Sequence, residues 1–157
     1  VLAVLGAALL ASAGPVSATP LNTQHRVLHN AYTLGCLYES ITSTSVVGVS
    51  SSSSCAGYYE WKGNGDYTIR NVSTGLCLTT TAASGSSRPV TASLCGSSVY
   101  QEWSESQIPD KPSGEMAFHN LSNDWYLQGA SGVVSTVPKD ITDDLQGWYD
   151  CIDGSSC

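Results

Sequence analysis

The chain has 157 residues, with Lys+Arg 6 against Asp+Glu 13, a net charge of −7 and only 12% charged residues. That length fits one ordinary domain, and six scattered cations do not build the basic patch that nucleic acid needs. Ser and Thr number 25 and 13 beside 15 Gly, one Met and one Phe, so long amphipathic helices are excluded after residue 13 and an acidic, polar, β-rich globule remains.

The chain opens on VLAVLGAALLASA, Val1 to Ala13, and its first charged residue is Arg26. An apolar run of this length falls short of the roughly 20 residues that span a bilayer. It fits the apolar region of a secretory signal peptide. Val16-Ser17-Ala18 supplies small residues for cleavage before Thr19, with Ala13 the weaker site. No Met or basic leader precedes the run, so the reading is a signal peptide over 1–18 with a truncated start, and a mature domain over 19–157. The six cysteines agree with an oxidising compartment.

Past the leader, three segments align without gaps. They are VLHNAYTLGCL (Val27 to Leu37), TIRNVSTGLCL (Thr68 to Leu78) and AFHNLSNDWYL (Ala117 to Leu127). Each carries an Asn followed seven residues later by Leu: Asn30 and Leu37, Asn71 and Leu78, Asn120 and Leu127. Each then runs to a Trp, in Tyr59-Glu60-Trp61, Gln101-Glu102-Trp103 and Gln146-Gly147-Trp148. The repeats are placed at about 24–63, 64–110 and 114–151.

Within a repeat the signals are strands and turns. Tyr67 to Arg70, Cys77 to Thr81 and Val90 to Leu94 read as strands, and Val99 to Trp103 as the start of a fourth. Four strands in each of three units give about twelve. Gly63 to Asp66 and Pro109 to Gly114 are the loops between units, and Ser50 to Ser54 is a loop inside the first. Cys36 and Cys55 are 19 apart and Cys77 and Cys95 are 18 apart, while the third unit has Tyr126 at the first cysteine position. The simplest of the fifteen connectivities is Cys36–Cys55, Cys77–Cys95 and Cys151–Cys157.

Threefold repetition of about 40 residues, ending in Q-x-W at Gln101–Trp103 and Gln146–Trp148, resembles the ricin-type β-trefoil lectin family over roughly residues 24 to 151. Trp61 keeps only the Trp of that motif. The expected fold is all-β, a β-trefoil of three pseudo-symmetric repeats. Trp61, Trp103 and Trp148 are expected in its core, each indole N–H needing an acceptor. Gln101 and Gln146, two residues before a Trp, are expected to share a strand face with it and to brace buried backbone groups.

The resemblance also implies a galactose-type site: an Asp two residues after the first cysteine, an aromatic platform, and an Asn before the Gln. Here the Asp position holds Tyr38, Thr79 and Gln128, and the Asn position Tyr58, Tyr100 and Leu145. The platform position holds Ser53 and Ser93, with Asp140 near it in the third unit. The sugar sites are therefore degenerate. The best remnants are Gln128, Gln146, Trp125 and Tyr126 in unit three, and Thr79, Tyr100 and Gln101 in unit two.

No catalytic or phosphate-binding motif is present. His29 and His119 share a repeat position, which points to structure, and Asp140, Asp143 and Asp144 read as a solvated acidic loop in place of a calcium site. Asn71-Val72-Ser73 and Asn120-Leu121-Ser122 are acceptor sequons whose Asn also head the repeats. The expectation is a secreted, monomeric, non-enzymatic carbohydrate-binding module without cofactor or metal, its partner a glycan or polysaccharide. The alternative is a secreted adaptor trefoil with a protein partner, such as a subunit of a toxin or surface assembly.

Overall fold

In the computed structural model the described residues are 21, 24–40, 46–51, 55, 60–63, 65–82, 85–109, 111, 114–130, 132–140 and 142–152. The signal peptide, its cleavage site, Ser53, Tyr58 and Cys157 lie outside them.

Short β-branched and alternating stretches broken by Gly, Ser and Asn give short strands here. In chain order they are β1 (His25–Asn30), β2 (Leu37–Glu39), β3 (Val47–Val49), β4 (Glu60–Gly63), β5 (Ile69–Asn71), β6 (Cys77–Thr79), β7 (Arg88–Pro89), β8 (Thr91–Ser93), β9 (Trp103–Gln107), β10 (Glu115–Asn120), β11 (Trp125–Ala130), β12 (Val133–Val137) and β13 (Trp148–Ile152). The extra strand beyond twelve is β7, two residues that pair with β12 through Ser135 and Thr136. One stretch differs in kind. Val99–Gln101, expected as strand, is a 3-10 turn capped by the Ser98 side chain, and Asp144–Gln146 repeats it under an Asp143 cap. The Gln of each Q-x-W therefore sits on a turn and not on the strand of its Trp. It reaches loop backbone from there, which a strand position would not allow.

The threefold design is visible in the register. The last strand of each unit pairs with the first of the next, and the aligned residues are the same each time: Trp61 with Asn71, Trp103 with Asn120, and Trp148 with Asn30. The β1–β13 pairing joins the first and last of these strands.

The core follows from the repeat. Leu28, Ile69 and Phe118 form one equivalent set, each 3% exposed, and Leu37, Leu78 and Leu127 a second, each fully buried. Trp61, Trp103 and Trp148 fill the third, and each donates its indole N–H to the carbonyl of its own unit's Leu: Leu37 at 3.1 Å, Leu78 at 2.9 Å and Leu127 at 3.0 Å. The acceptor that a buried indole needs is built into the repeat.

The three Asn are fully buried. Asn30 donates to the carbonyls of Leu145 and Gly147, and Asn120 to those of Val99 and Glu102, so each clamps the preceding unit. Their Oδ1 atoms accept the turn amides of Thr33, Thr74 and Ser122 at the three positions. Four residues past each Asn the chain turns left-handed, at Leu34 (φ 56), Gly75 (φ 74) and Asp124 (φ 55), and each amide there donates back to the Asn carbonyl. Only the second unit uses glycine for it.

Cys36–Cys55 and Cys77–Cys95 are bonded as expected. Cys151 is also disulfide-bonded, and its expected partner Cys157 lies outside the described residues. Loops of 19 and 18 residues contribute roughly 3 kcal/mol each in the chain-entropy model. Among the described residues, no helix is long and apolar enough to cross a membrane.

Candidate functional site

The second unit's polar remnants are consumed by one another. Thr79 Oγ1 lies 2.7 Å from Ser93 Oγ and donates to the Cys77 carbonyl. The two N–H groups of Gln101 Nε2 have three acceptors within 2.8–3.0 Å, Thr79 Oγ1, Ser93 Oγ and the Leu94 carbonyl, while its Oε1 accepts the Gly96 amide at 2.9 Å. Gln101 is 2% exposed, a brace as expected. A sugar hydroxyl here would displace an existing bond, with little net gain. Tyr100 is half-buried beside Val99, 49% exposed, and Leu94 is 84% exposed. In the first unit Tyr38 lies across Gly48 of β3, with ring atoms 2.8–2.9 Å from where a Cβ would be.

The third unit is arranged differently. Gln146 braces the loop after β12, its Nε2 donating to the Pro138 carbonyl at 3.1 Å and its Oε1 accepting the Asp140 amide at 3.0 Å. Lys139 lies between these two contacts, and both it and Asp140 are exposed. Asp140 Oδ1 accepts the Thr142 amide and hydroxyl, and these bonds hold its carboxyl below the usual value. Lys139 Nζ stands 5.3 Å from the Tyr126 ring centre. Tyr126 in turn stacks on His119, centroids 5.2 Å apart. Burial lowers the His119 imidazole below its ordinary value, against the opposing pull of Asp124, with Lys139 adding to the lowering.

A concavity of about 280 Å³ opens here, lined among others by Gln107, Ile108, Tyr126, Lys139, Asp140 and Gln146. It contains an ammonium, a carboxylate, an amide and an apolar floor. Gln128 Nε2 donates to Asp143 Oδ2 at 2.5 Å, and Asp143 Oδ1 caps the Leu145 amide. Asp143 was legible only as part of an acidic loop, because its partnership with β11 crosses 15 residues. Asp144 pairs with Lys111, which it holds above the ordinary lysine value.

The predicted residues thus separate. Tyr126 and Gln146 share the concavity, and Gln128 stands with Asp143. Trp125 faces Arg88, whose guanidinium lies 4.1 Å from its ring centre. Thr79 and Gln101 form the closed network of unit two. A second concavity, about 290 Å³, is floored by Leu28, Trp61 and Phe118 and crossed by the Arg26–Asp150 ion pair.

The comparisons with known proteins agree with this architecture. A designed threefold-symmetric protein, ThreeFoil, superposes with a TM-score of 0.68 at 18% identity, over 81% of this chain and 97% of its own. The ricin B-like lectin of Macrolepiota procera, solved with lactose, gives 0.67 at 14% identity, over 88% and 99%. A lectin of Polyporus squamosus, solved with Neu5Aca2-6Galb1-4GlcNAc, gives 0.68 at 19% identity, over 82% of this chain and 49% of its own. These likenesses show the fold, a β-trefoil. No curated protein sequence matches the chain. The model of the ricin-type beta-trefoil lectin domain-like family matches residues 58–136. That match takes in 79 of the 157 residues (136 − 58 + 1), and the chain belongs to the ricin-type β-trefoil lectin domain-like family.

Proposed function

We propose that the protein is a secreted, non-enzymatic carbohydrate-binding module, one domain over 19–157 with repeats at about 24–63, 64–110 and 114–151, and that its working sugar site is in the third repeat. The observation that carries this is the Lys139–Asp140 pair, held by Gln146 at the rim of a concavity walled by Tyr126. Sugar recognition needs a carboxylate to accept hydroxyl protons, a cation or amide to donate, and an apolar surface for C–H groups. Asp140, Lys139, Gln107 and Ile108 supply these. The two disulfides support an oxidising, extracellular destination.

A second reading rests on unit two. Leu94 and Val99 expose apolar surface in the unit whose Gln101, Thr79 and Ser93 side chains bond one another, which fits a protein partner better than a sugar. The similar domain also occupies part of larger chains. This chain spans 17% of a mosquitocidal holotoxin and 30% of an exo-beta-1,3-galactanase. A glycan-array and insoluble-polysaccharide screen of the oxidised chain separates the readings. Saturable binding supports the lectin, and binding to no glycan leaves the adaptor.

A further inference from the structure

The cross-strand neighbour of the first cysteine position differs in each unit. In unit two it is Arg70, in register with Cys77, and its guanidinium is turned to the Gly75 carbonyl. In unit three it is His119, stacked on Tyr126. In unit one it is His29, bridged to Cys36, and its Nε2 lies 3.5 Å from Cys55 Sγ. Among the described residues, only the first unit puts an imidazole against a disulfide.

From these contacts we infer that, once the Cys36–Cys55 bond is reduced, His29, Cys36 and Cys55 form a three-ligand site for zinc or a similar thiophilic divalent cation. The donor atoms of these residues all lie within 4.8 Å of one another, the one such group of three among the described residues. A tetrahedral zinc ion with arms of about 2.3 Å to sulfur and about 2.0–2.1 Å to nitrogen sets N and S about 3.5 Å apart, and two sulfurs about 3.8 Å apart. The His29–Cys55 separation already has the first value. The Cα atoms of the cysteines are 6.1 Å apart, so side-chain rotation alone can open the sulfurs to the second. His29 Nδ1 faces the Leu34 carbonyl at 3.4 Å, so the tautomer with its proton on Nδ1 can donate there and turn the Nε2 lone pair toward a metal. Leu34 is held in its left-handed conformation, so this carbonyl is fixed by the turn. Three protein ligands leave a fourth position for water.

The reductant is a small dithiol. Its sulfur attacks the half-buried Cys55 side of the bond, the protein S–S bond breaks and the dithiol closes to its own disulfide. Two electrons pass to the protein, and the two dithiol protons end on the Cys36 and Cys55 thiols. Zinc binding then releases those two protons to solvent as both sulfurs become thiolates.

The test uses the full chain, reduced with excess dithiol, desalted under nitrogen and titrated with Co²⁺ and then Zn²⁺. The expected result is thiolate-to-cobalt charge-transfer absorption saturating at one equivalent and erased by zinc. His29→Ala weakens it on the order of 10-fold or more with the thiol count unchanged, and Arg70→Ala leaves it as it was. Near-ultraviolet dichroism of the buried Trp is followed in the same samples. If reduction erases that signal, one equivalent of zinc restores it in the wild type and fails to in His29→Ala. Absorption no stronger than that of a Cys36→Ser/Cys55→Ser chain, or equal affinity in His29→Ala, overturns the site. So does a reduced chain that stays unfolded with zinc.

Discussion

The indole of Trp103 and the carbonyl of Leu78 meet at 2.9 Å, 25 residues apart in sequence and both fully buried. The same bond recurs at Trp61 and Leu37 and at Trp148 and Leu127. It ties the end of each unit to its own second strand, while the Trp–Asn register ties that end to the next unit. Trp103→Phe keeps most of the apolar volume and orphans the Leu78 carbonyl. It is expected to cost about 1–3 kcal/mol, and the two equivalent variants are expected to cost the same within about 1 kcal/mol. Urea denaturation measures all three. A Trp that tolerates Phe at no cost breaks the equivalence.

Asn71 and Asn120 are sequon residues with no exposed surface. Asn120 makes two donor bonds and accepts from Ser122 N and Oγ. At about 0.5–1.5 kcal/mol per bond, Asn120→Ala is expected to lose about 2–6 kcal/mol. Folded protein offered to an oligosaccharide-transferring extract is expected to stay unmodified at both positions. Mass spectrometry checks this, and a glycan on Asn71 or Asn120 of a chain with native dichroism contradicts the clamp.

Leu34 adopts a conformation that costs an L-residue about 1–2 kcal/mol, where the second unit has Gly75. Its side chain is 56% exposed and contributes little packing. Leu34→Gly is therefore expected to stabilise the chain by about 0.5–1 kcal/mol after the entropy cost of glycine. A lower melting temperature refutes this.

His119 gives a pH dependence of known sign. Burial lowers its pKa from the ordinary 6.5, so the unfolded chain takes the proton more readily. Its contribution to stability is full above the unfolded value and is lost as pH falls through the folded one. Denaturant midpoints at about pH 7.5 and about pH 5 are expected to fall further for wild type than for His119→Phe, which keeps a ring against Tyr126. Parallel curves remove His119 as the source.

The repeat frame was readable because three copies of one structural problem need the same residues. Asn, Leu and Trp recur at fixed spacing, and the structure gives each set one role. The bracing role of Gln101 and Gln146 was readable too, although their position on a turn was not. A strand and a 3-10 turn both accept Val-Tyr-Gln, and the choice is made by Ser98 capping and by the Trp103 amide's bond to Tyr67. What the sequence hid is what occurs once. Among the described residues, the His119–Tyr126 stack and the Gln128–Asp143 pair have no counterpart in the other units to reveal them. Glu39 is likewise singular, fully buried with Oε2 on the Thr74 hydroxyl, where the equivalent positions hold Thr80 and Gly129. Gly129 has its own reason, since a Cβ there would lie 2.7 Å from the Trp148 ring.

The most direct test of the proposed function is a calorimetric titration of the best array glycan into three oxidised chains: wild type, Lys139→Ala/Asp140→Asn, and Thr79→Ala. Removing a charged hydrogen-bonding group that contacts the sugar costs about 1.5–3 kcal/mol, so the third-unit variant is expected to lose roughly tenfold or more in affinity. Thr79→Ala is expected to bind as wild type does. Unchanged binding by the third-unit variant, or loss of binding through Thr79→Ala alone, contradicts a sugar site in the third repeat.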